Sequence, residues 1–264
     1  MEKYIFCYLD ILGYKSIVAE HCNNEELIGI FRDIVKDTVI GLPEGFMKPL
    51  DNSETSKFVE GVYGDIKTTL ISDTILIRMP IVDIKENNEQ KAIDRIGIFL
   101  HYVSFLVLTF VRRTGYFLRG GIAIEQHFED NEKGNLFIFS KALIKSYELE
   151  QKAKSIRILV TPDIVDYLCN NDENRREEVL NLFYKDSDDL LCLDYYQPLT
   201  ALMHEDFFSV LMGNVRGQIW HNRKDQNILY KYLGFIKYHN TYIESREELN
   251  KFKIDLNIVL NENR

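Results

Sequence analysis

The sequence predicts an α+β protein, a sheet covered by helices, with a mixed α/β layout as the alternative. Three observations predict it. Strand-like and helix-like segments follow the order β-α-β-β-α-β-β-α-β-α-β before a helical tail, an alternation that lays helices over a sheet. A hairpin at residues 65–79 interrupts the alternation in its middle. Near the start of the chain, an almost wholly apolar run at residues 4–9 stops on a carboxylate, Asp10, and a glycine-bearing turn, Ile11-Leu12-Gly13-Tyr14.

The elements follow in order. Residues 4–9 read as a buried strand. Asn23-Asn24-Glu25-Glu26 marks a helix start, with Asn in the cap region and acids in the first turn. Leu27, Ile28, Ile30, Phe31, Ile34 and Val35 then recur at helical spacing. Residues 41–64 are rich in Gly, Pro, Ser and Asn and read as a loop. Residues 65–79 form two strand-like runs hinged at Ser72-Asp73, with Asp73 at the tip. Residues 87–113 predict a long helix, apolar nearly all round in its second half, that packs between other elements. Residues 115–125 read as a strand whose adjacent Gly120 and Gly121 point to close backbone approach. A polar turn at 129–134, a short strand at 136–139 and a helix from Lys141 to about Ala153, capped by Ser140, come next. Residues 156–160 read as a strand, Thr161-Pro162-Asp163 as a helix start, and 188–196 as a late strand. From about Gly213, long charged-and-apolar segments predict one or two closing helices. The main domain is placed at residues 1–200, with a helical extension packed on it at 201–264.

Composition narrows the function. Hydrophobic content of 45% and charged content of 28% are ordinary for a globular chain with a sizeable core. A net charge of −9 argues against a nucleic-acid surface, which needs clustered Lys and Arg. The four cysteines, Cys7, Cys22, Cys169 and Cys192, show no CxxC spacing and read as free thiols in a reducing cytoplasm. No signal peptide is read at the start. The apolar run at 96–111 contains His101 and Ser104, falls short of the roughly 20 residues a bilayer span needs, and reads as a core helix.

The carboxylates carry the chemistry. An unpaired charge in an apolar strand costs several kcal/mol. At the strand's C-terminal edge, beside free backbone N–H groups, Asp10 can instead hold a divalent cation. Asp73 repeats that arrangement at the hairpin tip. A tip aspartate alone is common; two carboxylates at the ends of β elements are what metal-assisted phosphoryl transfer requires. The six histidines show no HxxxH or HExxH pairing, and no G-x-S-x-G, Walker A or G-x-G-x-x-G motif occurs.

Leu9-Asp10-Ile11-Leu12-Gly13-Tyr14, Ile71-Ser72-Asp73, Leu118-Arg119-Gly120-Gly121-Ile122 and the helix from Ala142 to Ala153 together resemble the class III nucleotidyl cyclases. The resemblance covers roughly residues 4–195, and its closer match is the bacterial pyrimidine cyclases of Pycsar anti-phage systems. It implies a ferredoxin-like, mostly antiparallel sheet. It implies two divalent ions, Mn²⁺ favoured and Mg²⁺ the alternative, on Asp10, the Ile11 carbonyl and Asp73. Asp10 and Asp73 would be the catalytic residues. Leu12, Gly13 and Tyr14 would cradle phosphates through their backbone N–H groups, and Thr69 and Arg119 complete the implied nucleotide-binding set.

Purine-specific relatives place a base-reading Lys where Thr69 stands and a base-reading Asp near Phe137. Their transition-state Asn and Arg fall at about Ile144 and Glu148. Loss of the base readers fits a pyrimidine. The resemblance therefore implies a cytoplasmic homodimer with composite active sites that converts UTP, or CTP, to the 3′,5′-cyclic monophosphate. That product would be a second messenger in anti-phage defence, coupled to a downstream effector, with neither nucleic acid nor membrane as partner. Loss of the Asn and Arg pair carries the alternative, a catalytically silent, nucleotide-sensing cyclase-like module. Tyr147 and Glu148 are placed on a helix lining the site or a dimer seam.

Overall fold

The computed structural model describes residues 2–34, 54–81, 89–132, 135–169, 173–202 and 205–257. Its order is β1 (Glu2–Ile11), α1 (Tyr14–His21), α2 (25–34), α3 (Glu54–Asp65), β2 (Lys67–Ile71), β3 (Thr74–Pro80) and α4 (Glu89–Thr114). There follow β4 (Leu118–Glu132), β5 (Asn135–Ser140), α5 (Lys141–Ala153), β6 (Ile158–Val160), α6 (Pro162–Cys169) and α7 (Glu173–Leu180). The chain closes with β7 (Phe183–Lys185), β8 (Leu191–Leu193), a 3-10 turn at Gln197–Leu202, α8 (Glu205–His221), α9 (Gln226–Glu244) and a second 3-10 turn at Glu247–Phe252.

One sheet runs β2-β3-β1-β4-β6-β8-β7, with β5 also on β4. Every pairing is antiparallel except β4 with β6. The fold is therefore α+β, a central mostly antiparallel sheet flanked by helices. Its pivot is β4, which pairs with β6 through Gly120–Ile122 and with β5 through His127–Glu132 while lying against β1 along its length.

Side chains alternate across a strand, and β1 uses both faces. Ile5, Cys7 and Leu9 are fully buried with Ile75, Ile77 and Met79 of β3 in the same core as Ile96, Phe99, Leu100, Val103 and Leu106 of α4. Each such side chain contributes about 1.5–3 kcal/mol on burial. On the opposite face Phe6 and Leu76 pack under Ala142 of α5. Residues Ala92–Thr114 of α4 are long and apolar enough to cross a bilayer, yet the apolar 18-residue window within them is 67% buried within the fold, in line with a core helix.

Ser140 Oγ accepts from Leu143 N–H (3.0 Å) and caps α5 where the sequence places the cap. Asn24 does the same for α2 through Leu27 N–H (3.0 Å). Three expectations need correction. Residues 54–64, read as loop, are helical because Val62 and Tyr63 bury against the core; residues 41–53 of that expected loop lie outside the described residues. Residues 129–132, read as turn, continue β4, since the β5 ladder and the ion pairs of Glu129 hold them extended. The late strand is confined to Leu191–Leu193 and has a partner, β7, that the sequence did not announce.

The closing helices share the main core through Phe208, Leu211, Val215, Tyr232 and Phe235. Asn214 Nδ2 donates to Val111 O (3.0 Å), and the Phe117 ring meets Tyr232 (5.5 Å) and Phe235 (4.8 Å). Gly234 lies so close to Ser155 that a Cβ there would stand 2.7 Å from the Ser155 Cβ.

Candidate active site

The site is built at one end of β1. In register, Asp10 stands between Thr74 of β3 and Arg119 of β4. Ser72, in the left-handed region at φ 57, turns the β2–β3 hairpin, and Asp73 O accepts from Ile11 N–H (2.8 Å). That bond ties the hairpin tip to the end of β1, so the two aspartates predicted as a pair are brought together. Thr74 Oγ1 lies 3.0 Å from Tyr8 OH and 3.5 Å from Asp73 Oδ1.

Arg119 Nε donates to Asp10 Oδ2 (3.0 Å), and Glu150 Oε1 of α5 lies 2.7 Å from the same nitrogen. Glu150 is 1% exposed and shares its helix face with Ala142, Ser146 and Ala153. Burial raises the Asp10 carboxyl above its ordinary value; Arg119 opposes the shift and Asp73 adds to it. Burial likewise raises Glu150, opposed by Arg119 and reinforced by Asp10 and Asp73. Two carboxylates, Asp10 and Glu150, thus share one guanidinium, and Asp73 adds negative charge to both.

Glu150 is the site residue the sequence reading missed. Its signal was present: Ala142, Ser146 and Glu150 recur at intervals of four residues, and a carboxylate on a stripe of small residues is out of place unless paired.

Of the implied phosphate cradle, Leu12 is corrected. Its N–H donates to Phe117 O (2.9 Å), because the strand pairing of β1 with β4 runs one residue further than the turn suggested. Gly13, at φ 79, opens α1, and neither its N–H nor that of Tyr14 donates to a described residue. Arg119 is a carboxylate partner here. Ile144, Tyr147 and Glu148 point outward on α5, with the Tyr147 ring 5.3 Å from that of Tyr8.

Thr69 is not brought to Asp10. Its Oγ1 accepts from Arg78 Nη1 (2.9 Å), and Arg78, with Lys67, donates to Glu129. Burial alone would raise Glu129; the hydrogen bonds and charges of Lys67 and Arg78 outweigh it and hold the carboxyl down at about 2. A depressed folded pKa gives stability that is present above the ordinary value of 4.5 and lost as pH falls through about 2. The stability difference between the protein and Glu129→Gln should accordingly be constant above pH 5 and shrink across that acid window. Thermal unfolding in a pH series checks it; a difference that persists undiminished at pH 2 would contradict it.

Among the described residues no group of three or more His, Cys, Asp or Glu forms a metal cluster. The donors that remain are hard oxygens, as a divalent ion such as Mg²⁺ or Mn²⁺ prefers. They fit such an ion on one observation in particular. Glu150 Oε1 is buried and accepts no aligned hydrogen bond from a described residue, so the cluster carries more negative charge than Arg119 satisfies.

No protein-family model matches the chain, and neither does any curated protein. Among solved structures it is similar to the adenylyl cyclase CyaB from P. aeruginosa, at 12% identity and TM-score 0.43 over 64% of this chain and 82% of that one. A bacterial light-regulated adenylyl cyclase gives 9% identity and TM-score 0.41 over 81% and 98%. A class III adenylyl cyclase-like ATP-binding protein from Pseudomonas aeruginosa gives 17% and 0.42 over 76% and 40%.

Proposed function

We propose that this chain is a nucleotidyl cyclase that converts a pyrimidine nucleoside triphosphate, UTP in preference to CTP, to its 3′,5′-cyclic monophosphate and diphosphate. The carrying observation is Asp10 and Asp73 side by side on tied strand ends, with Arg119 between Asp10 and a buried Glu150. In the reaction the ribose 3′-oxygen attacks the α-phosphorus in line, its proton leaves, and the bond to the diphosphate oxygen breaks.

Asp10, the Ile11 carbonyl and Asp73 would hold two divalent ions, Mn²⁺ favoured. Such ions, when bound, neutralise phosphate charge and lower the hydroxyl's pKa. Asp10 and Asp73 fix the geometry from two strands that cannot separate without breaking the Ile11–Asp73 bond. Gly13 and Tyr14 present amide donors at the start of α1, where phosphate oxygens are favoured. Arg119 presents its guanidinium to phosphate oxygens, oriented from behind by Glu150. Thr69 at the purine-reading position supports a pyrimidine base.

The proposed assembly is a homodimer with composite sites. Phe128, Phe137, Phe139, Ile144 and Tyr147 are exposed on β4, β5 and α5. Clustered apolar surface of this kind marks an interface, and a twofold copy is the commonest closed solution. The setting proposed is cytoplasmic anti-phage defence, with an effector reading the cyclic nucleotide.

A second reading, a silent nucleotide sensor, rests on the outward-facing Ile144 and Glu148 in place of the Asn and Arg pair. Incubation with each of four labelled triphosphates and Mn²⁺ decides between them. A cyclic pyrimidine product, absent with Asp73→Ala, is expected. Nucleotide bound without any cyclic product would leave the sensor. A preparation that turns over while its mass in solution is that of one chain would remove the composite site.

A further inference from the structure

Between α1 and the closing helices lies a cavity of about 590 Å³ that contains neither Asp10 nor Asp73 in its lining. One wall is α1 with Leu12 and Gly13; the other is the end of α8 and the start of α9, and Tyr116 also lines it. Besides Tyr116 and Tyr232, its titratable lining is Glu20, His21, His221, Lys224, Asp225 and Lys231. Of the two carboxylates, Asp225 is engaged in the fold, and Glu20 gains ion-pair partners when the imidazoles beside it are protonated. Asp225 Oδ1 caps α9, accepting from Asn227 N–H (2.9 Å) and Ile228 N–H (3.2 Å), and Glu20 lies between His221 (3.8 Å) and His21 (3.9 Å). The two ammonium groups have no such partner: neither Lys224 nor Lys231 makes an ion pair or side-chain hydrogen bond with a described residue. Unpaired cations facing a cavity favour an anion.

Resting on the cyclase reading, we propose that this cavity receives the terminal phosphates of the triphosphate chain, with Lys231 as their principal contact and Lys224 at the mouth. The closing helices would then be a working part of the substrate site.

Rigid coupling supports the placement. Leu12 N–H is bonded to Phe117 O, the Phe117 ring packs on Tyr232, and Lys231 precedes Tyr232. Lys231 O also accepts from Ile156 N–H (3.4 Å), which fixes the start of α9 beside β6. The cavity opens beside Gly13 at the start of α1, where the phosphate chain would pass.

The test uses the full chain without divalent ions and inorganic tripolyphosphate as probe. The single tryptophan, Trp220, adjoins His221 on the cavity wall and reports binding by fluorescence. Saturable binding is expected, weakened about tenfold by Lys231→Gln, the loss of one charge-assisted contact, and largely restored by Lys231→Arg. Orthophosphate should bind far more weakly than tripolyphosphate. Lys231 is only half-buried, so the variants should melt with the parent. Equal affinity in Lys231→Gln, or no tripolyphosphate binding, overturns the inference even where cyclic product forms. Lys231-dependent binding with no cyclic product from any triphosphate keeps the anion site and removes the cyclisation reading.

Discussion

Asp10→Asn is expected to reduce cyclic-product formation by on the order of 10³-fold, since a lost metal-holding carboxylate forfeits several kcal/mol of charge stabilisation in the transition state. The same change should leave the melting temperature unaltered or higher. Burial and Asp73 both raise the folded pKa of Asp10, and a carboxyl raised in the fold costs stability wherever pH exceeds that value. At neutral pH the ionised side chain is therefore an expense that Arg119 only partly offsets. Neutralising it relieves Glu150 and leaves Arg119 with one full partner. A structural aspartate behaves in the opposite way, losing stability before activity. Parallel turnover and thermal melts of Asp10→Asn separate the two; a melting temperature lowered by many degrees would show that Asp10 holds the fold.

Gly121→Ala should be the most damaging single methyl group in the described sheet. A Cβ at Gly121 would stand 2.3 Å from Ser146 O and 2.4 Å from the Leu149 Cβ, with Glu150 N at 3.1 Å. Those are backbone and near-backbone atoms of α5, so no rotamer change makes room and the helix must move off the sheet. Overpacking of this kind costs about 3 kcal/mol, which for a chain of this size lowers the melting temperature by roughly 6–12 °C. The displacement also draws Glu150 away from Arg119, so residual folded protein should turn over poorly. Unfolding midpoints with activity per folded molecule check both parts. An unchanged midpoint would mean that α5 rides looser on β4 than these distances state.

How much of this was readable beforehand follows from what each element depends on. The run ending on Asp10, the hairpin turning at Ser72-Asp73 and the Ser140 cap depend on local chemistry, and each was legible. Residues 126–132, His-Phe-Glu-Asp-Asn-Glu after Gln126, carry no strand pattern of their own; they are extended because β1 and β5 pair with them and Lys67 and Arg78 hold Glu129. The helix at Glu54–Asp65 contains Gly61 and Gly64 and is fixed by burial of Val62 and Tyr63, again a tertiary matter. Leu12 was misread because the partner of its amide, Phe117, is supplied by a strand entrance more than a hundred positions away. The small-residue stripe of α5 marks Glu150 as a paired carboxylate, but only the fold shows that its partner is Arg119.

The same separation has a consequence during synthesis. The first strand carries Asp10, yet its two neighbours in the sheet are Thr74–Pro80 and Leu118–Glu132. A ribosome adding ~5–20 residues per second exposes that apolar strand with one edge unpaired for roughly 2–10 seconds after its hairpin partner has emerged. Both aspartates are thus made long before the arginine that balances them, and a nascent chain halted before residue 118 displays an open, sticky edge.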